Sequence, residues 1–284
     1  MNQPYRYIEV HPQNGALGCE LFGVNLAEPV RDEVMEEIHR AWLDHQVLFF
    51  RDQNITPAQQ VDFARHFGEL DTYPFIEPLP DQPEVVPIIK EPDNRFNFGG
   101  GWHSDTSYMP KPPKATMLRA LEVPRRGGDT LFANQYAAYE ALSPGMKDML
   151  AGRRAVFTAS QVHGSSGYYR KADHPMDMKK PQDAVERRVD HPIVRTHPET
   201  GRRALYVSVP HVERFRQMSR EESRPVLEYL CGHAVKPEFT FRFHWRPHSI
   251  ALWDNRCVQH YALNDYAGQR RVMHRITIKG DMPR

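Results

Sequence analysis

Apolar positions recur along this chain with two periods, and the switches between them mark out its elements. Between 31 and 45, Val34, Ile38, Ala41 and Trp42 fall at i, i+4, i+7 and i+8, one face of an amphipathic helix. The run Val47-Leu48-Phe49-Phe50 that follows is a short buried strand. Thr56-Pro57-Ala58-Gln59 opens a second helix with an N-cap threonine, a proline at the first helical position and a capping-box glutamine. Gly68 is placed to end it. Residues 136–142 and 143–150 also read as helices, the latter capped by Ser143. Ser219-Arg220-Glu221-Glu222 has capping-box spacing for another, ending near Gly232, which Pro225 is expected to strain unless it sits in the first turn.

The period-2 signal lies mostly in the second half. Residues 239–246 alternate most cleanly, with Phe239, Phe241, Phe243 and Trp245 against Thr240, Arg242, His244 and Arg246. In 271–279, Arg271, Met273, Arg275 and Thr277 share one face, and Val272, His274, Ile276 and Ile278 the other. Further strands are expected within 8–26 and at 115–122, 130–133, 191–198, 204–209 and 250–253. Many short strands with a few helices toward the front and middle suit one mainly β domain over 1–284. The architecture expected is a double-stranded β-helix, or jelly roll, with helical cover. Two stretches break the pattern. Residues 71–98 are proline-rich and irregular, and residues 160–188 are charged and of mixed sign; both are read as lids over a site mouth.

Composition narrows the function classes. The 284 residues carry 37 basic and 36 acidic side chains, so no net field favours nucleic acid or an anionic membrane. No apolar run approaches the roughly 20 residues that span a bilayer, and residues 1–7 lack the apolar core of a signal peptide. Cys19, Cys231 and Cys257 are widely spaced and suggest neither a disulfide framework nor a cysteine zinc site. A soluble, cytoplasmic protein is expected.

The candidate chemistry sits in Gly99-Gly100-Gly101-Trp102-His103-Ser104-Asp105. On an extended strand, His103 and Asp105 point to the same side. A second imidazole from elsewhere would complete two histidines and a carboxylate on one face of a metal, the ligand set of non-haem Fe(II) oxygenases. The glycine run beside it marks a place where a ligand or another backbone approaches closely.

The far end supplies the partner. Trp253-Asp254-Asn255-Arg256-Cys257-Val258-Gln259-His260-Tyr261 and Arg270-Arg271-Val272-Met273-His274-Arg275, taken with WHSD and with GGDTLFA at 127–133, resemble the taurine / 2,4-dichlorophenoxyacetate dioxygenase family. These are Fe(II)- and 2-oxoglutarate-dependent oxygenases, and the likeness covers nearly the whole chain. It implies that His103, Asp105 and His260 hold iron. It also implies that Thr130 and Arg271 hold 2-oxoglutarate, and that Arg275 matches the arginine that grips an acidic substrate in several members. Arginine suits both tasks because it binds a carboxylate through two parallel hydrogen bonds. The implied reaction uses O2, releases succinate and CO2, and hydroxylates a small organic, anionic substrate. Related halogenases lack the carboxylate that Asp105 supplies. Taurine-specific members carry asparagine where this chain has Gly99, histidine where it has Tyr73, and phenylalanine where it has His211. Taurine is therefore expected to be a poor substrate, with Tyr73, Gly99, Tyr108 and His211 lining the pocket. Family members are often dimers or tetramers, so a homo-oligomer is expected. A metal-dependent hydrolase or isomerase, or a non-catalytic binding protein, on the same barrel are the alternatives.

Overall fold

The computed structural model describes residues 4–13, 15–73, 76–163 and 187–284. Its centre is an eight-stranded sheet, reached from both ends of the chain. Strands β1 (Glu9–Pro12), β2 (Cys19–Phe22) and β3 (Val47–Phe50) lead into β14 (Ile250–Asp254), then β6 (Ala115–Glu122), β16 (Arg271–Ile278) and β4 (Leu70–Asp71); β5 (Val86–Lys90) pairs the other part of β16. A three-stranded sheet faces it, ordered β13 (Thr240–Phe243), β7 (Thr130–Asn134), β15 (Val258–Ala262). A second small sheet joins β12 (Val212–Phe215), β8 (Arg154–Thr158) and β9 (Arg188–Pro192), and β10 (Val194–Thr196) pairs β11 (Arg203–Leu205). This is the expected jelly roll with helical cover.

Two apolar clusters, one on each face of the large sheet, explain why its central strands alternate so little. Ile250 and Leu252 of β14 and Ile276 and Ile278 of β16 pack outward against Ile38 and Trp42 of α1 (Asp32–His45) and Val61 of α2 (Pro57–Arg65). Ala251, Trp253 and Met273 point inward to the space between the sheets. There Phe49 stacks on Phe243 with ring centroids 4.0 Å apart and meets Phe132 edge-on at 5.7 Å, tying the two sheets together. Strands buried on both faces are near-continuous apolar runs, as β3 and Ile250-Ala251-Leu252-Trp253 of β14 are.

The helix boundaries follow the local signals. Thr56 accepts from the Gln59 amide, and the glutamine side chain returns the bond. Ser143 caps α4 (Pro144–Leu150), just after α3 (Gln135–Glu140). The helix Arg220–His233 closes its capping box through Ser219 and Glu222 and runs one residue past Gly232. Pro225 lies beyond its first turn, contrary to the expected limit. It is on the exposed face, so the carbonyl it leaves unpaired faces water.

Three other expectations need correction. Residues 71–98 are not irregular throughout, because Val86–Lys90 forms β5, antiparallel to β16 from Arg271↔Lys90 to Arg275↔Val86. Pro87 hid the strand from its sequence. A proline is tolerated on an edge strand, where only one side needs hydrogen bonds, and β5 pairs only with β16. The expected strand at 239–246 shrinks to Thr240–Phe243, since Phe239 closes a 3-10 turn over Pro237–Phe239. Residues 191–198 are split between β9 and β10, and the strand expected at 204–209 is Arg203–Leu205. Of the second expected lid, residues 164–186 lie outside the described residues. No helix among the described residues is long and apolar enough to cross a membrane.

Candidate active site

His103 and His260, far apart in sequence, pair as an isolated antiparallel bridge: each backbone amide donates to the other's carbonyl, at 3.1 and 2.9 Å. Their rings lie 4.2 Å apart. Asp105, two residues on, brings Oδ1 to 3.7 Å from His103 Nε2 and 3.8 Å from His260 Nε2. All three donor atoms lie within 4.8 Å of one another. Donors sharing one metal at about 2.1 Å sit roughly 3–3.5 Å apart, so small side-chain rotations seat an ion. The hydrogen bonding suits that role. His103 Nδ1 is 2.7 Å from the Gly101 carbonyl, which can only accept, so Nδ1 carries the proton and Nε2 keeps its lone pair.

Electrostatics favours the same state. Burial pushes the His103 pKa below its usual value and that of His260, with His103 beside it, well below. Both are neutral ligands at neutral pH. Burial alone would raise the Asp105 carboxyl, but the Arg275 charge, the two imidazoles and a 2.6 Å hydrogen bond from Thr116 hold it well below the carboxylate range. Arg275 Nη2 stands 2.9 Å from Asp105 Oδ1.

Two cavities meet at this point. The smaller is lined by Thr130, Arg271 and Arg275 with Ile88, Leu118 and Trp253, and it reaches His103, Asp105 and His260. Arg271 is buried there, with its guanidinium 5.8 Å from the Trp245 ring. Its Nε and Nη2 have no hydrogen-bond partner among the described residues. Unpartnered buried guanidinium donors are costly, and a carboxylate guest satisfies them. Trp245 Nε1 donates to Thr130 Oγ1 at 2.9 Å, which turns the threonine's own hydrogen toward a guest. Sequence reasoning missed Trp245. Its place on the apolar face beside Phe243 looked like core, and no pattern reveals an indole N–H aimed at Thr130.

The larger cavity, about 350 Å³, opens above His103 and Asp105. Tyr73, Gly99, Tyr108 and His211, all singled out from sequence, line it together with Phe98, Trp102, Val162 and Val209. The two ends of the 71–98 stretch thus reach the cavity through Tyr73 and Phe98. Arg275 lies beneath them, 4.7 Å from the Tyr73 ring centroid. His211 Nδ1 is held by Ser107 at 2.8 Å, and its ring meets Tyr108 edge-on at 4.9 Å. Gly99 has φ +79°, and a Cβ there would come within 3.4 Å of the His103 ring. The structure brings every residue singled out from sequence to one or both cavities.

Comparison with known proteins agrees with this geometry. A family model described as "Taurine catabolism dioxygenase TauD, TfdA family" matches residues 9–277. An alpha-ketoglutarate-dependent sulfate ester dioxygenase of Pseudomonas putida is 32% identical, over 97% of this chain and 91% of its own. An alkylsulfatase of Acinetobacter baylyi is 30% identical, over 99% and 88%. Among solved structures, a taurine dioxygenase from Burkholderia xenovorans superposes with a TM-score of 0.83 at 34% identity, covering 98% of this chain and 91% of that one. The structure of AAD-2 with Mn(II) and N-oxalylglycine gives 0.80 at 29%, covering 97% and 98%.

Proposed function

Because the chain belongs to the TauD/TfdA family, whose members use Fe(II), 2-oxoglutarate and O2, we propose that His103, Asp105 and His260 hold the iron and that Arg271 and Thr130 hold 2-oxoglutarate. Membership makes the protein a 2-oxoglutarate-dependent dioxygenase and sets aside the hydrolase, isomerase and binding-protein alternatives. The iron and cosubstrate supply the oxidising step, with release of succinate and CO2. The chain's part is to bind, orient and exclude water. Arg271 takes the distal carboxylate with its unpaired Nε and Nη2, Thr130 donates to the same group, and Phe132, Trp253 and Met273 keep the surrounding core dry. The observation that carries this reading is the meeting of the two cavities at the convergent His103, Asp105 and His260 donors.

Charge and lining indicate the substrate class. Buried Arg271 and Arg275 against Asp105 leave one positive charge, and Fe(II) with dianionic 2-oxoglutarate adds none. One charge remains for a monoanion at Arg275. Above it, Tyr73, Phe98, Trp102, Val162 and Val209 make an apolar wall, and Asp105 is the only acidic lining residue among those described. A substrate ammonium such as taurine's would find no carboxylate partner. The fit is therefore a sulfate ester, sulfonate or carboxylate carrying an apolar body, and taurine is a poor substrate. We further place the enzyme in the cytoplasm as a dimer or tetramer; free Cys19, Cys231 and Cys257 and exposed Tyr7, Phe22 and Tyr229 support this, and light scattering on the purified protein tests the assembly.

The test is anaerobic. Fe(II) and 2-oxoglutarate added to the apoprotein should give the visible charge-transfer band of a chelated 2-oxo acid, weakened in Arg271→Ala and absent in His260→Ala. No band in folded, metal-loaded protein would sink the assignment. Succinate release with medium-chain alkyl sulfates, alkylsulfonates, aryloxy acids and taurine then ranks the substrates.

A further inference from the structure

A carboxylate ligand has two oxygens and can rotate to offer one or both to a metal. A second bond from Asp105 would occupy a position that cosubstrate or O2 needs. Around Asp105 runs a chain of buried hydrogen bonds in which every donor and acceptor is fixed. Trp253 Nε1, which can only donate, gives to Asn255 Oδ1 at 3.0 Å. The Asp105 amide also gives to Asn255 Oδ1, at 3.3 Å, so two N–H groups settle which end of the amide is oxygen. Asn255 Nδ2 must then donate to Thr116 Oγ1, at 2.9 Å. With that lone pair taken by an N–H, the Thr116 hydroxyl spends its single hydrogen on Asp105 Oδ2, at 2.6 Å. Oδ1 is left facing His103 and His260, with Arg275 Nη2 2.9 Å away as its ion-pair partner.

The same chain reaches the second histidine. His260 Nδ1 has no partner among the described residues, so its ring is not oriented by a hydrogen bond of the kind that holds His103. It is packed instead against the Trp253 ring, centroids 4.6 Å apart. The register of β14 against β6 puts Trp253 directly opposite Thr116. One sheet pair thus carries both ends of the chain, and all four residues are buried.

We propose that Thr116, Asn255 and Trp253 form a positioning clamp that makes Asp105 a one-oxygen ligand and sets the His260 ring. This rests on reading His103, Asp105 and His260 as the metal site. Thr116 and Asn255 act through the ligands and line neither cavity, while Trp253 also lines the smaller one. Thr116 is its critical member, because it alone of the three bonds the carboxylate side chain, at Oδ2, while Arg275 pairs with Oδ1.

Mn(II) titration of the apoprotein tests it without turnover. Wild type against His260→Ala first establishes the site itself: equal affinities overturn the metal-site reading. Thr116→Val keeps the side-chain shape, and Thr116→Ser keeps the hydroxyl. Thr116→Val should bind Mn(II) about 10–100-fold more weakly, with Thr116→Ser within about threefold of wild type. Trp253→Phe, which keeps the ring but not the N–H, should fall between. The anaerobic charge-transfer band of the Fe(II)–2-oxoglutarate complex should move in Thr116→Val and not in Thr116→Ser. Near-UV circular dichroism of each apoprotein reports folding, and Thr116→Ala replaces Thr116→Val should the latter not fold. Wild-type affinity and an unmoved band in the folded hydroxyl-less variant would overturn the clamp while leaving the metal site standing.

Discussion

Among the described residues, two clusters offer ligand-type side chains at close range, and one of them is built to receive a ligand. His103, Asp105 and His260 form the first; His197, Asp254 and Cys257 form the second. In the second, every strong hydrogen-bonding position is filled from within. Asp254 receives Arg256 through both Nε and Nη2, at 2.8 and 2.7 Å, and His197 Nε2 at 3.0 Å. His197 Nδ1 accepts the amides of Glu199 and Thr200, and Arg256 Nη1 goes on to Glu199 at 2.6 Å. Burial raises the Cys257 thiol well above its usual value, so it is not the thiolate a metal needs. In the first cluster both histidines line a cavity, with the His103 Nε2 lone pair left open, and the nearby Arg271 has donors to spare. Residue type and distance alone do not make a site. What distinguishes one is unmet hydrogen-bonding capacity directed at space.

Breaking each cluster should therefore give opposite phenotypes. The largest effect belongs to the first: His260→Ala should lose more than about 100-fold in metal affinity, beyond the loss typical of residues around a ligand, with little change in the unfolding midpoint of the apoprotein. A variant that still loads metal like wild type would remove the contrast. Next, Arg256→Met should cost about 3–5 kcal/mol of stability, because it leaves the Asp254 charge buried with no cation, held only by the His197 Nε2 and residue 256 amide hydrogen bonds. Chemical denaturation measures it, and the folded fraction should load metal normally. Third, Arg271→Ala should raise the KM for 2-oxoglutarate about 10–100-fold, as befits one charge-assisted carboxylate contact of roughly 1.5–3 kcal/mol. It should leave Mn(II) affinity unchanged, and a shift in Mn(II) affinity instead would mean that Arg271 supports the ligands.

A smaller effect sharpens the second cluster through pH. Glu199 is pulled down to about 2, by a hydrogen bond from His39 and then, against its burial, by those from Arg256. Its folded value lies below its unfolded one, so its contribution is fully present above about pH 4.5 and is lost as pH falls toward 2. Glu199→Gln should be about 1–2 kcal/mol less stable than wild type near pH 6, with the gap closing toward pH 2. A gap that stays constant with pH would show that the Glu199 charge is not what matters. The smallest expected change is at the pocket wall, where His211→Phe should shift relative kcat/KM among anionic substrates by about tenfold or less, with Mn(II) affinity untouched.

Much of this molecule was legible along the chain, and the limits of that legibility have physical causes. The amphipathic face of Asp32–His45 and the capping box at Thr56 are local, so they could be read and they formed. β5 was missed because Pro87 is a strand breaker everywhere except at an edge, and edges exist only once strands are ordered. His103 and Asp105 could be paired by their i, i+2 spacing. His260 was added only through likeness to a family, since nothing local says that its backbone bridges that of His103. The alternation of Arg271 and Arg275 put two cations on one face, but not how their charges are met. Both keep Nε and Nη2 without a hydrogen-bond partner among the described residues, yet Arg275 has the Asp105 carboxylate 2.9 Å away.

By itself, then, the sequence determined the period of each element, the helix caps, the two residues of the WHSD motif and, through its motifs, the family. The tertiary structure decided which buried polar groups are satisfied. In the chain Trp253–Asn255–Thr116–Asp105, Trp253 and Thr116 lie on strands distant in sequence and paired by register, with Asn255 and Asp105 in turns brought alongside. Whether a lone pair ends on a neighbour or on a cavity depends on that pairing, and no pattern within one strand contains it.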